Sequence, residues 1–374
     1  MIITALSSFT AIHYADVSFV MGVTQLLYGI TQPLWGALAL KRSNTLVLCI
    51  GTVLFLAGLI FTPFCRSVLT LFLTFGIALG AGSGALCFGI LMGTISPIIG
   101  KEKASAASGI LNASSGIGSA VLSPVLQLLN SQIGVAGSLW VLAIPTLLIF
   151  PIIFWIRMMQ GNTVVDGADS AAASGAEQSS LRLLRTALRE ADFRRLMLGF
   201  STCGFHMIII QTHLVTQFVS YGITAGVVAG IYTFFGVATM AGSVLSGFLC
   251  SKFSLKNVLG TEYAVRAVIV ALFMFAMLKN LTTAIIFALI LGLTGDATVT
   301  PTSEIVSRRF GAKTIGFLFG MTFVCHQIGA FISSWLGGVL IEQTGSYTLI
   351  WSLDILLCAM AALTSYRIKR HEGE

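Results

Sequence analysis

Long unbroken apolar runs dominate this chain and dictate what it can become. Stretches of about 20 apolar residues, the length that crosses a bilayer as a helix, recur between charged or turn-rich breaks. They run from Asp16 to Leu40, Thr45 to Phe64, Val68 to Ile99, Ser105 to Leu129 and Val135 to Ile156. After a polar interval they resume from Leu196 to Val219, Thr224 to Cys250, Lys256 to Leu278, Thr282 to Ser303, Thr314 to Ile341 and Tyr347 to Tyr366. The runs are continuous rather than alternating, which argues against a membrane barrel, and helices satisfy their own backbone in lipid. Only 9% of the 374 residues are charged, against about a quarter in soluble domains, and 56% are apolar. Cytosolic enzymes, nucleic-acid readers and secreted disulfide scaffolds are excluded. The sequence predicts an all-α membrane protein.

The formal charge of +7 has a topological cause. All but three of the 21 Lys and Arg lie at Lys41/Arg42, Lys101/Lys103, the interval from Arg157 to Arg195, Lys252/Lys256, Arg308/Arg309/Lys313 and Arg367/Lys369/Arg370. These connections alternate with others that carry only Arg66 and Lys279, while Arg266 falls inside a span. By the positive-inside rule the basic set, with the central linker and the C-terminus, is cytoplasmic. The Asp16 run then enters from outside. Met1 to His13 is too short to span and is expected to be the remainder of a truncated first helix, or else a re-entrant or interfacial piece.

Seven cysteines are scattered without a CxxC pair, and no Walker loop, GxSxG or HExxH occurs. No cofactor, metal or enzymatic activity is expected.

An internal repeat runs through the chain. Gly36, Leu38, Lys41, Val47 and Leu48 match Gly247, Leu249, Lys252, Val258 and Leu259 at an offset of 211, as Gly109, Ile117 and Gly118 match Gly320, Ile328 and Gly329. Two related six-helix halves, residues 1–158 and 195–374, are expected to enclose a cavity. The linker, 159–194, begins with a flexible Gly-, Ala- and Ser-rich stretch, Gly161 to Ser180. In Leu181 to Met197, Leu181, Leu184, Leu188 and Ala191 share helical spacing beside Arg182, Arg185 and Arg189, which predicts one amphipathic basic helix lying on the anionic leaflet.

With its two halves, its cytoplasmic loop and its Gly-x-x-x-x-Lys turns, the chain resembles the major facilitator superfamily. Cys203-Gly-Phe-His206, Thr212-His213-Leu214, Tyr263-Ala-Val-Arg266, His326-Gln327-Ile-Gly329 and Gly345-Ser-Tyr347 look like bacterial members near the monocarboxylate-transporter branch. The resemblance implies a multi-pass inner-membrane protein that moves a small organic anion by alternating access, often with a proton. It differs from the family at Leu40 and Ser251, where the cytoplasmic turn usually has an acidic residue. The eighth helix also lacks the arginine that monocarboxylate carriers place there.

Ionisable groups inside a bilayer cost at least a few kcal/mol, so each is a candidate for function. His206, Arg266 and His326 fall near the midplane, and Asp296 slightly past it. Arg266 presents a bidentate fork for a substrate carboxylate, or is neutralised by Glu262 or Asp296. Asp296, whose repeat counterpart is Gly84, is the candidate for the coupling proton, on a helix that lines the cavity in the resembled fold. His206 and His326 can donate to an anion or serve as packing residues. Tyr28, Gln25 and Gln32 on the second helix, and Asn112 and Ser115 on the fifth, are neutral donors for the substrate or for neighbouring helices. Asp354 and Glu304 lie towards span ends, where solvation or pairing accounts for them.

The resulting expectation is a secondary transporter for a small, monocarboxylate-like anion, coupled to protons. A proton-driven drug or metabolite efflux antiporter stays open, as does a transport-inactive sensor or polytopic membrane enzyme.

Overall fold

The computed structural model describes residues 2–87, 101–160, 182–310 and 315–369, with isolated positions between 90 and 98. The expected linker Gly161 to Ser180 lies outside the described residues. The described elements are α1 (Ile2–Thr10), α2 (Tyr14–Lys41), α3 (Asn44–Phe61), α4 (Val68–Ala85), α5 (Lys101–Leu147) and α6 (Ile149–Gln160). There follow α7 (182–189), α8 (Ala191–Ser220), α9 (Ala225–Lys252), α10 (Leu255–Phe275), α11 (Leu281–Phe310), α12 (Ile315–Thr344) and α13 (Thr348–Tyr366). Among the described residues, nine helical stretches are long and apolar enough to cross a membrane. The expected break between the fifth and sixth spans falls inside α5 at Gly134, whose φ of 69° suits a residue without a Cβ. Outward faces stay apolar, with Leu34, Leu69, Val244 and Leu278 at 65%, 66%, 75% and 76% exposure. Lipid accepts such faces; water would not.

Two compact units emerge from the contacts: Ile3–Ser114 with Leu129–Ser179, and Ser115–Leu128 with Ser180–Glu374 and Met1–Ile2. In the former, α4 packs against both α2 and α3. Its residues Phe72–Leu79 are wound as a π-helix. The hydroxyl of Thr24 donates to the Phe75 carbonyl within that stretch at 3.1 Å, and Trp35 Nε1 donates to the Ala81 carbonyl at 2.9 Å. Side chains from α2 therefore pin α4 through its carbonyls, which have no water to turn to.

In the latter unit α8 packs along α12, α10 along α13, and α9 along α11. A Cβ on Gly204 would run into the His326 carbonyl, and one on Gly329 into the Ser201 carbonyl. The backbones of α8 and α12 thus touch, as small residues allow in a bilayer.

The single amphipathic helix expected over Leu181 to Met197 is in fact two. Residue 189 ends α7, Glu190 is extended (φ −72°, ψ 122°), and α8 already starts at Ala191. Asp192 explains the break. It is 2% exposed in the first turn of α8, where a carboxylate meets free backbone amides. Arg195 and Arg309 pair with it, the latter at 2.6 Å, and the Lys369 amide donates to it at 3.2 Å. One buried carboxylate thereby joins the start of α8 to the last turn of α11 and the segment just after α13.

Candidate functional site

The site is built on an interruption in α11. Helical pairing stops after Gly295, Asp296–Thr298 form a turn, and the helix restarts at Val299. Pro301 lies in the first turn of the restarted helix and has no N–H for the Ala297 carbonyl. The Ser246 hydroxyl of α9 donates to that carbonyl instead, at 2.8 Å. On the other side of the turn, the freed carbonyls of Thr294 and Gly295 are taken by Arg266 of α10. Its Nε reaches Thr294 O at 3.1 Å and its Nη2 reaches Gly295 O at 2.6 Å, with Nη2 also on Thr294 O. Thr298 Oγ1 sits 3.4 Å from the same Nη2 and 3.1 Å from Cys203 Sγ of α8. Neighbouring helices therefore satisfy the opened backbone with side chains, the condition for a broken helix at membrane depth.

Arg266 is fully buried and lies against the Tyr263 ring, 5.3 Å from its centroid. Among the described residues no ion pair joins it to Glu262 or to Asp296, the partners considered from the sequence. A cation placed at the C-terminal end of a helix is favoured by the helix dipole, which supplies part of the missing counter-charge. Its Nη1 has no partner among the described residues.

Asp296 itself is half-buried, beside the capped carbonyls. It lies within electrostatic reach of Arg266, of His326 on α12 and of Tyr232 on α9. The His326 ring stacks on Phe323, with centroids 5.2 Å apart, and lies 5.1 Å from the Phe200 ring. Its Nδ1 is buried without a partner among the described residues. Asp296, Arg266 and His326, expected from the sequence to sit near the midplane, are thus brought together, and Tyr232 joins them.

His206 is directed elsewhere. It is fully buried, with Nδ1 2.7 Å from Asp354 Oδ2 of α13. Asp354 is fully enclosed too, so pairing rather than solvation accounts for it. Nearby, Trp351 Nε1 donates to Gln217 Oε1 at 2.7 Å, which ties α13 to α8 a second time. Glu304 pairs with Arg308 at 2.5 Å on an exposed face.

Of the remaining candidates, Tyr28, Gln25 and Asn112 belong to the other compact unit, and Ser115 opens the short segment assigned to this one. Tyr28 is half-buried against Val47, Leu48, Ala85 and Cys87, with its hydroxyl bonded to Gln32, and Gln25 is half-buried. The side chains of Asn112 and Ser115 lie outside the described residues. Sequence reading missed Tyr232, Gln217 and Trp351. All three are polar-tipped residues inside apolar runs, and that was the available signal.

A family model described as Major Facilitator Superfamily matches residues 1–230 and 214–374. The chain belongs to the Major Facilitator Superfamily. Monocarboxylate transporter 12 of Homo sapiens is 23% identical over 376 residues, covering 94% of this chain and 72% of that protein. The crystal structure of the D-xylose-proton symporter superposes with a TM-score of 0.73 at 12% identity, covering 99% of this chain and 92% of that one. The E. coli fucose:proton symporter FucP gives a TM-score of 0.62 at 18% identity, over 99% and 96% of the two chains. At these identities the two structures show a shared fold. The superfamily makes this a multi-pass membrane transporter and not an enzyme.

Proposed function

We propose that the chain is a secondary transporter that carries a small organic anion, monocarboxylate-like, across the inner membrane by alternating access with proton coupling. Residues 1–158 and 195–374 are taken as the two alternating halves. Similarity to monocarboxylate transporter 12 along 94% of the chain supports the substrate class. The observation that carries the reading is the half-buried Asp296 at the α11 interruption, within electrostatic reach of both Arg266 and His326.

The charge arithmetic at this site gives a coupling mechanism. With Asp296 ionised, its charge offsets that of Arg266, and the site offers an anion little attraction. With Asp296 protonated, Arg266 is left without a carboxylate counter-charge, and a substrate carboxylate can supply one. Proton and anion therefore favour each other's binding, and by linkage the effect is reciprocal. His326 has an Nδ1 without a partner among the described residues to offer the same ligand. Tyr28, Gln25 and Asn112 remain candidates for further substrate contacts.

In proteoliposomes, Asp296→Asn fixes the site in its proton-loaded charge state. The variant is expected to keep exchange of a labelled carboxylate between the two sides and to lose accumulation driven by a pH gradient. Gradient-driven accumulation equal to that of the parent protein would remove Asp296 from the coupling role.

A further inference from the structure

From a buried carboxyl group on α10 that meets no cation we infer that Glu262 is a neutral acid, whose proton positions Ser246 against the broken turn of α11. Glu262 is 8% exposed, and its Oε2 has no hydrogen-bond partner among the described residues. No ion pair among those residues includes it. An ionised carboxylate in such surroundings has neither water nor a counter-ion, and the protonated group avoids that cost.

The donors and cations on the surrounding helices are committed elsewhere. On α10 itself, Arg266 holds the Thr294 and Gly295 carbonyls, Tyr263 donates to the Gly199 carbonyl and Lys256 to the Tyr366 carbonyl. On α9, Lys252 lies over the Phe248 ring. On α11, Arg308 pairs with Glu304 and Arg309 with Asp192. The Tyr366 hydroxyl of α13 meets Thr261, and the Cys358 thiol of the same helix faces Asp354. Cys203 of α8 and Cys250 of α9 are within electrostatic reach of Glu262, but a thiol is a weak donor.

Ser246 of α9 is the hydroxyl that meets Glu262, and its proton already goes to the Ala297 carbonyl at 2.8 Å. A hydroxyl has one proton to give and two lone pairs with which to accept. Ser246 therefore meets Glu262 as an acceptor, and a carboxyl group donates when it is protonated. Glu262 gives to Ser246 and Ser246 to Ala297, each bond polarising the next. The chain ends on the carbonyl that Pro301 leaves without an N–H, one residue from Asp296. An ionised Glu262 would draw the Ser246 proton off that carbonyl and fix a negative charge one helical turn from Arg266. As a neutral acid it leaves the charge of Arg266 to be answered by Asp296 or by a substrate. Glu262 is thus a positioning residue that acts on the site through Ser246.

Infrared absorption reads this proton directly, because the carbonyl stretch of a protonated acid stands apart from the amide and carboxylate bands. The full chain is measured in detergent at neutral pH, once unlabelled and once with a heavy isotope at the side-chain carboxyl carbon of its glutamates. Among the described side chains Glu262 is the only buried glutamate, so one acid band that shifts with the label is expected. The band should vanish in Glu262→Gln, persist in Asp296→Asn and move to higher frequency in Ser246→Ala, where the acid loses its acceptor. Absence of a label-sensitive acid band in the parent chain shows an ionised Glu262 and overturns the inference, whether or not any variant folds. A band that survives Glu262→Gln overturns it as well, and a band unmoved by Ser246→Ala removes the link through Ser246. None of these outcomes depends on a solute, so the inference can fail while the carrier reading stands.

Discussion

Arg266→Met is expected to melt well below the parent protein in detergent and to carry no solute. Methionine matches much of the arginine stem, but it takes the guanidinium donor from the Thr294 and Gly295 carbonyls and leaves only the weak Cys203 thiol beside Gly295 and Thr298. Each abandoned buried polar group costs about 1–3 kcal/mol, and the opened turn of α11 depends on two such carbonyls. Replacing a buried charge by an apolar side chain can be harmless when its partners are replaced as well. Here the partners are backbone and cannot be removed. Arg266→Lys should fall between the two, because an ammonium is a point charge and cannot spread over two carbonyls as a planar fork does. Melting followed by intrinsic fluorescence tests the order, and a methionine variant that melts with the parent would show that Arg266 does not cap the broken helix.

Gly204→Val and Gly329→Val should each prevent α8 from docking on α12, with loss of monodisperse protein on size exclusion. Any Cβ at these positions meets a carbonyl of the facing helix, and backbone cannot swing aside as a side chain can. Overpacking a core costs about 1–3 kcal/mol when side chains can shift, and rigid backbone raises that figure. Separation would also displace His326, whose carbonyl is the atom struck by Gly204. Gly247→Val is the matched control, since nothing lies within 4 Å of its added Cβ. If the Gly204 and Gly329 variants run like the control, the close approach of α8 and α12 is not what holds this unit together.

Most of the architecture could be read from hydropathy because lipid leaves so few alternatives: the expected spans over Thr224 to Cys250 and Tyr347 to Tyr366 coincide closely with α9 and α13. Charge at depth likewise picked out Asp296, Arg266 and His326. Their manner of meeting was not legible. Arg266 was expected to meet a carboxylate and instead holds two carbonyls, because the apolar run from Thr282 to Ser303 conceals an interrupted helix. Pro301 was the signal for that interruption, since it cannot pair with the Ala297 carbonyl. Asp354 was set aside for its place near a span end. Distance along the sequence hides that α13 turns it onto His206, 148 residues away. The early start of α8 was equally hidden, because Asp192 looks like a linker residue until Arg309 and the Lys369 amide close on it.

The most direct test of the central claim is counterflow in proteoliposomes containing the full chain. Vesicles loaded with unlabelled lactate, pyruvate or larger carboxylates are diluted into trace labelled solute, with and without a proton ionophore. Transient accumulation of at least one labelled carboxylate is predicted, and a pH gradient, acid outside, should sustain it until the ionophore collapses the gradient. No labelled anion entering above protein-free vesicles, across the whole set, would contradict the account of this chain as an organic-anion carrier.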